Sequence, residues 1–526
     1  MKSVLTGRLE QLEKSGTSLT LSGVLHGLEK EGLRVNSSGS LALTPHPPRL
    51  GAALTNRYIT TDFSESLLEL ITPVLADPAE ALTFLETIHQ YVYANIGDEI
   101  MWASSMPCPI DDPESIPIAW FGTSNIGQMK HIYRIGLKHR YGKMMQSIAG
   151  IHYNFSLPDE FWQGYRALAG SDDRLQSFKS ASYFTLIRNF RRHSWLLLYL
   201  FGASPALSQS FLGTETGNLD RWKQDTLYLP HATSLRMSDL GYSTTAQSSI
   251  NICFNQLETY TKTLTDATNT SHPDYEKIGL IVDGAYRQLS TTILQIENEY
   301  YSDIRPKRVP QPGEGALRAL VNRGVEYVEV RNTDVNPLLP VGMDLEQAAF
   351  MDTFLIGCLL MGDDFISPAE CKVIEDNQKN VTTRGREPGL MLAGPNGDTP
   401  LDDAGSSLIN EFMPVAELLD RLHDTDLYTR SAQAQLAKLE DSSITPSAMV
   451  LKAIQDSGLE YAEWVFETSK AHREKLVKKL KNNNITEKLE MESRESIVNQ
   501  ARIEAADSVD FATFLKTYRT GVTESN

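Results

Sequence analysis

The segment Gly27–Val35, GLEKEGLRV, sets two glutamates one residue apart within an apolar frame. On a helix, positions two apart diverge by roughly 200°, so Glu29 and Glu31 would not converge. On a strand they share a face, about 6–7 Å apart. Gly27 and Gly32 oppose a helix interior, so the spacing predicts a strand with both carboxylates on one side. Such a face suits a dry core poorly. It is either the solvated side of an edge strand or the wall of a polar site.

Three further segments raise the same question. In TTDFSESLLELITP, residues 60–73, Asp62 and Glu69 lie seven apart, within about 20° of one face of a helix. Asp62 and Glu65 also match a capping-box start, which leaves Glu69, between two leucines, unexplained. GIHYNFS, residues 150–156, reads as a strand with His152, Asn154 and Ser156 on one face. A lone histidine on a strand is more often structural, bonded to a neighbour. In YVEVR, residues 327–331, Glu329 and Arg331 share the face opposite Val328 and Val330. A weak surface ion pair would look the same.

Taken together, several strands offer polar faces, as the lining of a cleft would. The oxygen-rich set Glu29, Glu31, Asp62, Glu69 and Glu329, with His152, suits hard divalent cations better than zinc. Many carboxylates without a thiolate point to more than one Mg²⁺ and a nucleotide sharing it. No HExxH pattern is present. No nucleotide motif is present either. GLKHRYGKM, residues 136–144, is one residue too long for a P-loop and ends in Met144 where Ser or Thr would meet the metal. GEGALR, residues 313–318, misses the last glycine of GxGxxG. Phosphates would have to rely on metals and on scattered cations such as Arg305, Lys307 and Arg308 of IRPKR, a cluster that elsewhere is often merely solvated.

The elements that must position these groups mix helices and strands without a βαβ rhythm, which predicts α+β architecture. Strands are expected at 22–36 and in IHYNFSLP, SSINICFN and YVEVRN. Helices are expected near the start of the chain and at 76–97, 174–212, 275–300, 344–362 (amphipathic) and 405–440. From about 445 the chain is charged and helical in composition. Residues 305–315 and 386–400, rich in Pro and Gly, read as loops. No 20–50-residue repeat and no confident internal boundary appears, so 1–526 is taken as a single unit.

Composition excludes several functions. The chain of 526 residues has a net charge of −18 and a pI near 5.1, which disfavours nucleic acid and anionic membranes as partners. No secretory h-region opens it, and its longest apolar runs fall short of the ~20 residues that span a bilayer. Cys108, Cys253, Cys358 and Cys371 show no CxxC spacing, which suits a reduced cytoplasm.

The long blocks GLEKEGLRV, ITTDFSESLLELITP, FGTSNIGQMKHIYRIGLKHRYG, MQSIAGIHYNFSLP, LPHATSLRMSDLGY, LQIENEYYSDIRPKR and GVEYVEVRNTDVNP resemble, in order, the proteobacterial type of glutamate–cysteine ligase (γ-glutamylcysteine synthetase). The resemblance implies a glutamine-synthetase-like α+β fold, with a curved antiparallel sheet around a funnel-shaped site and helices outside. It implies ATP-dependent joining of the L-glutamate γ-carboxylate to the L-cysteine amine through a γ-glutamyl phosphate, in the first step of glutathione synthesis. Glu29, Glu31, Asp62, Glu69, His152 and Glu329 would hold Mg²⁺ (Mn²⁺ being a substitute), with Glu29, Glu329 and Arg331 at the centre of catalysis. Gln146, Ile148, Arg236 and Arg331 would bind glutamate, and Phe63, Tyr133, Tyr242 and Tyr301 cysteine. Arg134, Arg305, Lys307 and Arg308 would meet ATP. Glutathione would be a feedback inhibitor, and a monomer is expected. One departure stands out: His231 occupies a place in YLPHATS where close relatives are expected to carry Tyr. Two competing functions are a ligase for a different amine, such as 2-aminobutyrate, and a non-enzymatic glutamate sensor. ADP release that needs both glutamate and cysteine separates them.

Overall fold

The computed structural model describes residues 3–213, 217–241, 250, 252–311, 314–395, 397–479 and 483–523. Its centre is a seven-stranded sheet. In chain order the strands are β1 (Leu25–Val35), β2 (Ile59–Thr61), β3 (Leu67–Ile71), β4 (Ile100–Met101), β5 (Ile151–Ser156), β6 (Ile304–Lys307) and β7 (Tyr327–Thr333). They run β6-β7-β5-β1-β3-β2, with β4 pairing the end of β1, and every pairing is antiparallel. The fold is α+β.

GLEKEGLRV therefore lies in the middle of the sheet, and the solvated-edge reading of Glu29 and Glu31 is excluded. Register puts Glu29 opposite His152, Glu31 opposite Glu69, and Glu329 opposite Asn154 on one side and Arg305 on the other. Facing residues point to the same side of a sheet, so side chains from five strands share one face. β7 gains one residue against β5 between Val330 and Thr333. A bulge there bends the strand and re-aims its side chains.

The reverse face carries His26, Lys30 and Tyr153 and is covered by helices. Helix Pro78–Asn95 packs on β1 and β3, and helix Leu175–Phe201 on β6 and β7. Asp352 of helix Leu345–Leu360 accepts from Tyr153 at 2.8 Å and meets His26 at 2.9 Å. Lys30 reaches Nε2 of His89 at 2.7 Å.

Several expectations need correction. Residues 60–73 form the β2–β3 hairpin rather than a helix, with Asp62 in the turn and Glu69 on β3; β1 claims the segment as a partner and overrides its helical spacing. The helix expected at 275–300 spans only Pro273–Ile278. Gly279 and Gly284, both at positive φ, end it and turn a short hairpin. Helix Leu345–Leu360 is buried from Gln347 onward rather than amphipathic. The expected helix over 174–212 stops at Phe201. Residues 304–307, overlapping the 305–315 stretch read as loop, form β6, and Pro306 is tolerated because β6 is the sheet edge. Residues 386–400 include a small hairpin, Met391–Leu392 with Thr399–Pro400. SSINICFN falls partly outside the described residues, and its described part is not a strand.

Candidate active site

Three side chains from three adjacent strands converge on the polar face. One ligand atom from each of Glu29, His152 and Glu329 lies within 4.8 Å of the others. His152 Nδ1 stands 3.4 Å from Glu29 and 3.9 Å from Glu329, and Nε2 stands 3.6 Å from Glu31. Asn154 donates to Glu29 at 2.8 Å, and the Gly150 N–H donates to Glu31 at 2.7 Å. Asn154 was legible on the same strand face as His152 but carried no charge to single it out.

The acids divide by their cations. Burial pushes Glu329 up, yet Lys307 at 3.1 Å and Arg331 at 3.2 Å, with His152 and Arg305, hold it well below the usual carboxylate range. Glu29 is likewise raised by burial but lowered on balance through His152. For Glu69 the help of Arg331 is outweighed. Burial, Glu29, Asp62 and Glu31 drive it well above the normal value, and burial raises Glu31 too. Such crowding of acids is what a bound divalent cation relieves, so the donor set fits a hard metal.

Beside these acids lies a cavity lined by Glu31, Asp62, Phe63, Tyr133, Arg134, Leu137, Tyr141, Met145, Gln146, Asn298, Glu299, Tyr301, Arg305 and Arg331. One wall is the helix Asn125–Tyr141, from which Tyr133, Leu137 and Tyr141 project at i, i+4, i+8. Arg134 lies over the Phe121 ring at 4.4 Å and donates Nε–H to the Asp62 carbonyl. Glu299 accepts from Arg140 at 2.9 Å and Tyr141 at 2.6 Å. Neither Tyr141 nor Glu299 was singled out in the sequence; Glu299 accepts from the nearby Gln295 N–H at 2.7 Å, but its side-chain partners lie about 160 residues away.

Arg236 sits behind this cavity, 1% exposed. Its Nη2 donates to the Arg331 carbonyl at 2.9 Å, and Asp334 stands 3.5 Å from Nη1. Asp334 is itself held by Ser204, Ser234 and the Ala203 N–H. Gly150 makes the space: a Cβ there would lie 2.7 Å from Arg236 Cζ and closer still to Nη2. Other expected residues fall elsewhere. Ile148 is core, 1% exposed. Arg308 turns away to the Arg323 carbonyl and Gln176, while Lys307 faces the acids. Tyr242 lies outside the described residues.

The comparisons with known proteins agree in kind. The family model described as glutamate-cysteine ligase matches residues 9–381. A glutamate–cysteine ligase of Pseudomonas fluorescens is 47% identical over 522 residues, 99% of this chain and 98% of its own. That of Hahella chejuensis is 47% identical over 527 residues, 99% and 100%. A crystal structure of glutamate–cysteine ligase from Francisella tularensis in complex with AMP superposes with a TM-score of 0.90 at 35% identity, covering 96% of this chain and 99% of that one. A bifunctional glutathione synthetase from Pasteurella multocida shares the fold at a TM-score of 0.70 and 24% identity, over 91% of this chain and 55% of that chain.

Fold, acid-lined face and relatives define a ligase, an enzyme that joins two small molecules. More narrowly, the chain belongs to the glutamate–cysteine ligase family, whose reaction opens glutathione biosynthesis.

Proposed function

We propose that this enzyme uses ATP to phosphorylate the γ-carboxylate of L-glutamate and then joins that acyl group to the amine of L-cysteine, releasing ADP and phosphate. The observation that carries the reading is the convergence of Glu29, His152 and Glu329 within 4.8 Å next to a cavity holding Arg331, Gln146 and an aromatic wall. An amine does not displace oxide from a carboxylate at useful rates, whereas an acyl phosphate has a good leaving group. The AMP in the Francisella structure supports an adenine nucleotide as the phosphoryl source.

Glu29, Glu31, Asp62, Glu69, His152 and Glu329 would hold Mg²⁺, with Mn²⁺ as a substitute. The metal, when bound, neutralises phosphate charge. Arg331 presents a guanidinium fork to the glutamate carboxylate, a geometry lysine lacks, with Gln146 beside it and Arg236 completing the pocket from behind. Phe63, Tyr133 and Tyr301 form the side of the cavity suited to a small, weakly polar amine. Arg134, Arg305 and Lys307 lie where cations can meet the transferred phosphoryl group. The described cysteines are all free, as in a reduced cytoplasm, and glutathione, carrying the γ-glutamyl product, is the natural feedback ligand.

The test follows the oxygen. Phosphorylation of the γ-carboxylate transfers one of its oxygens to the phosphate. Glutamate labelled with heavy oxygen at the γ-carboxyl should give singly labelled phosphate during turnover with cysteine, read by mass spectrometry. Unlabelled phosphate alongside confirmed product would refute the acyl-phosphate route.

A further inference from the structure

The helix that supplies Tyr133 and Arg134 is tied down by residues more than 370 positions later. At its start the Asn125 N–H donates to Asp507 at 2.6 Å, the Asn125 side chain donates to the Val509 carbonyl at 2.9 Å, and the Thr123 N–H donates to Glu504 at 2.8 Å. A carboxylate at this end satisfies unpaired N–H groups and opposes the helix dipole. Farther along, Leu515 of the last helix, Phe511–Thr523, forms a small core with Met129 and Ile132, and Tyr133 packs against that core. Phe511 adds an edge-on ring contact with Tyr286 at 5.2 Å. The family model ends at residue 381, yet this wall of the cavity rests on residues 504–518.

We infer that the C-terminal segment 504–518 is a positioning strap for the cavity wall. It holds the first turns of helix Asn125–Tyr141 from outside, so Tyr133 keeps its place without the strap touching substrate. Asp507 and Leu515 are its two fastenings, one electrostatic and one apolar. The inference rests on the proposed function in one respect: the wall is taken as the side that receives cysteine.

The test is steady-state kinetics on the full-length chain, varying glutamate, cysteine and ATP in turn, for Asp507→Ala, Asp507→Asn and Leu515→Ala, with Tyr133→Ala in parallel. Losing a helix cap costs about fivefold in a local equilibrium. Asp507→Ala is therefore expected to raise the KM for cysteine about fivefold, and Leu515→Ala, which empties part of the small core, at least as much, with the KM values for glutamate and ATP within twofold. Asp507→Asn, which keeps a capping oxygen, should stay near the parent value. Three unchanged KM values, or all three changing together with kcat, would overturn the strap. A selective rise for glutamate or ATP, matched by Tyr133→Ala, would uphold the strap and overturn the assignment of the wall to cysteine. If Tyr133→Ala alone raises the cysteine KM, the assignment stands and the strap falls.

Discussion

Gly150→Ala tests how the two halves of the site are joined. The residue lies between Glu31, which accepts its N–H at 2.7 Å, and the buried Arg236 guanidinium. An alanine methyl would lie 2.7 Å from Cζ of Arg236, whereas carbon contacts settle near 3.5–4.0 Å. The guanidinium must therefore move by about 1 Å. It has little room, because it is 1% exposed and fixed by the Arg331 carbonyl at 2.9 Å and by Asp334. A shift of that size breaks the bond to Arg331 and misdirects the Arg331 fork. A hydrogen bond from a charged donor is worth about 1.5–3 kcal/mol, or roughly one to two orders of magnitude in affinity. The KM for glutamate should rise by that factor at saturating ATP and cysteine. The Mg²⁺ dependence should stay near normal, since alanine keeps the N–H that Glu31 uses. Circular dichroism and the melting temperature check that the chain still folds. A glutamate KM within twofold of the parent, in a folded variant, would refute the part given to Arg236 in the glutamate pocket.

Three other outcomes are expected. Glu329→Gln removes the acid between Lys307 and Arg331 and should nearly abolish turnover while the far-ultraviolet dichroism is unchanged; normal rates at limiting Mg²⁺ would take Glu329 out of the metal set. Arg331→Lys keeps the charge but loses the fork, so the glutamate KM should rise with the ATP KM little changed, and the reverse pattern would assign Arg331 to phosphate. Burial lowers His26, but the charge and hydrogen bond of Asp352 overcome it and raise the pKa on balance. The stability from this pair should be full below the unfolded-state value of about 6.5 and lost as pH rises through the raised value. The melting-temperature gap between the parent and His26→Gln should accordingly shrink with rising pH, and a gap that widens would contradict the pairing.

How much of this was legible without coordinates depends on the length scale of the cause. Alternation within GLEKEGLRV and GIHYNFS follows from side chains pointing to opposite faces every residue, a local rule, and it marked Glu29, Glu31 and His152 on strands. Acid-rich composition at those positions was enough to suggest a hard metal. The same local rule misled at TTDFSESLLELITP, because helical spacing and a capping-box pattern are properties of a dozen residues, while the β2–β3 hairpin is stabilised by pairing with β1. It misled again at Leu345–Leu360, expected to be amphipathic, whose Asp352 is buried against His26 and Tyr153 on the reverse face of the sheet. Residue type and period fix which side of an element a group occupies. Only register fixes which groups meet: Glu31 opposite Glu69, Glu29 opposite His152, Glu329 opposite Asn154 and Arg305. Glu299 beneath the cavity, Arg236 in the space Gly150 leaves, and Asp507 at the start of a helix some 380 residues earlier are contacts between distant segments. Their energy arises only when those segments pack together, so no local pattern in the chain encodes them.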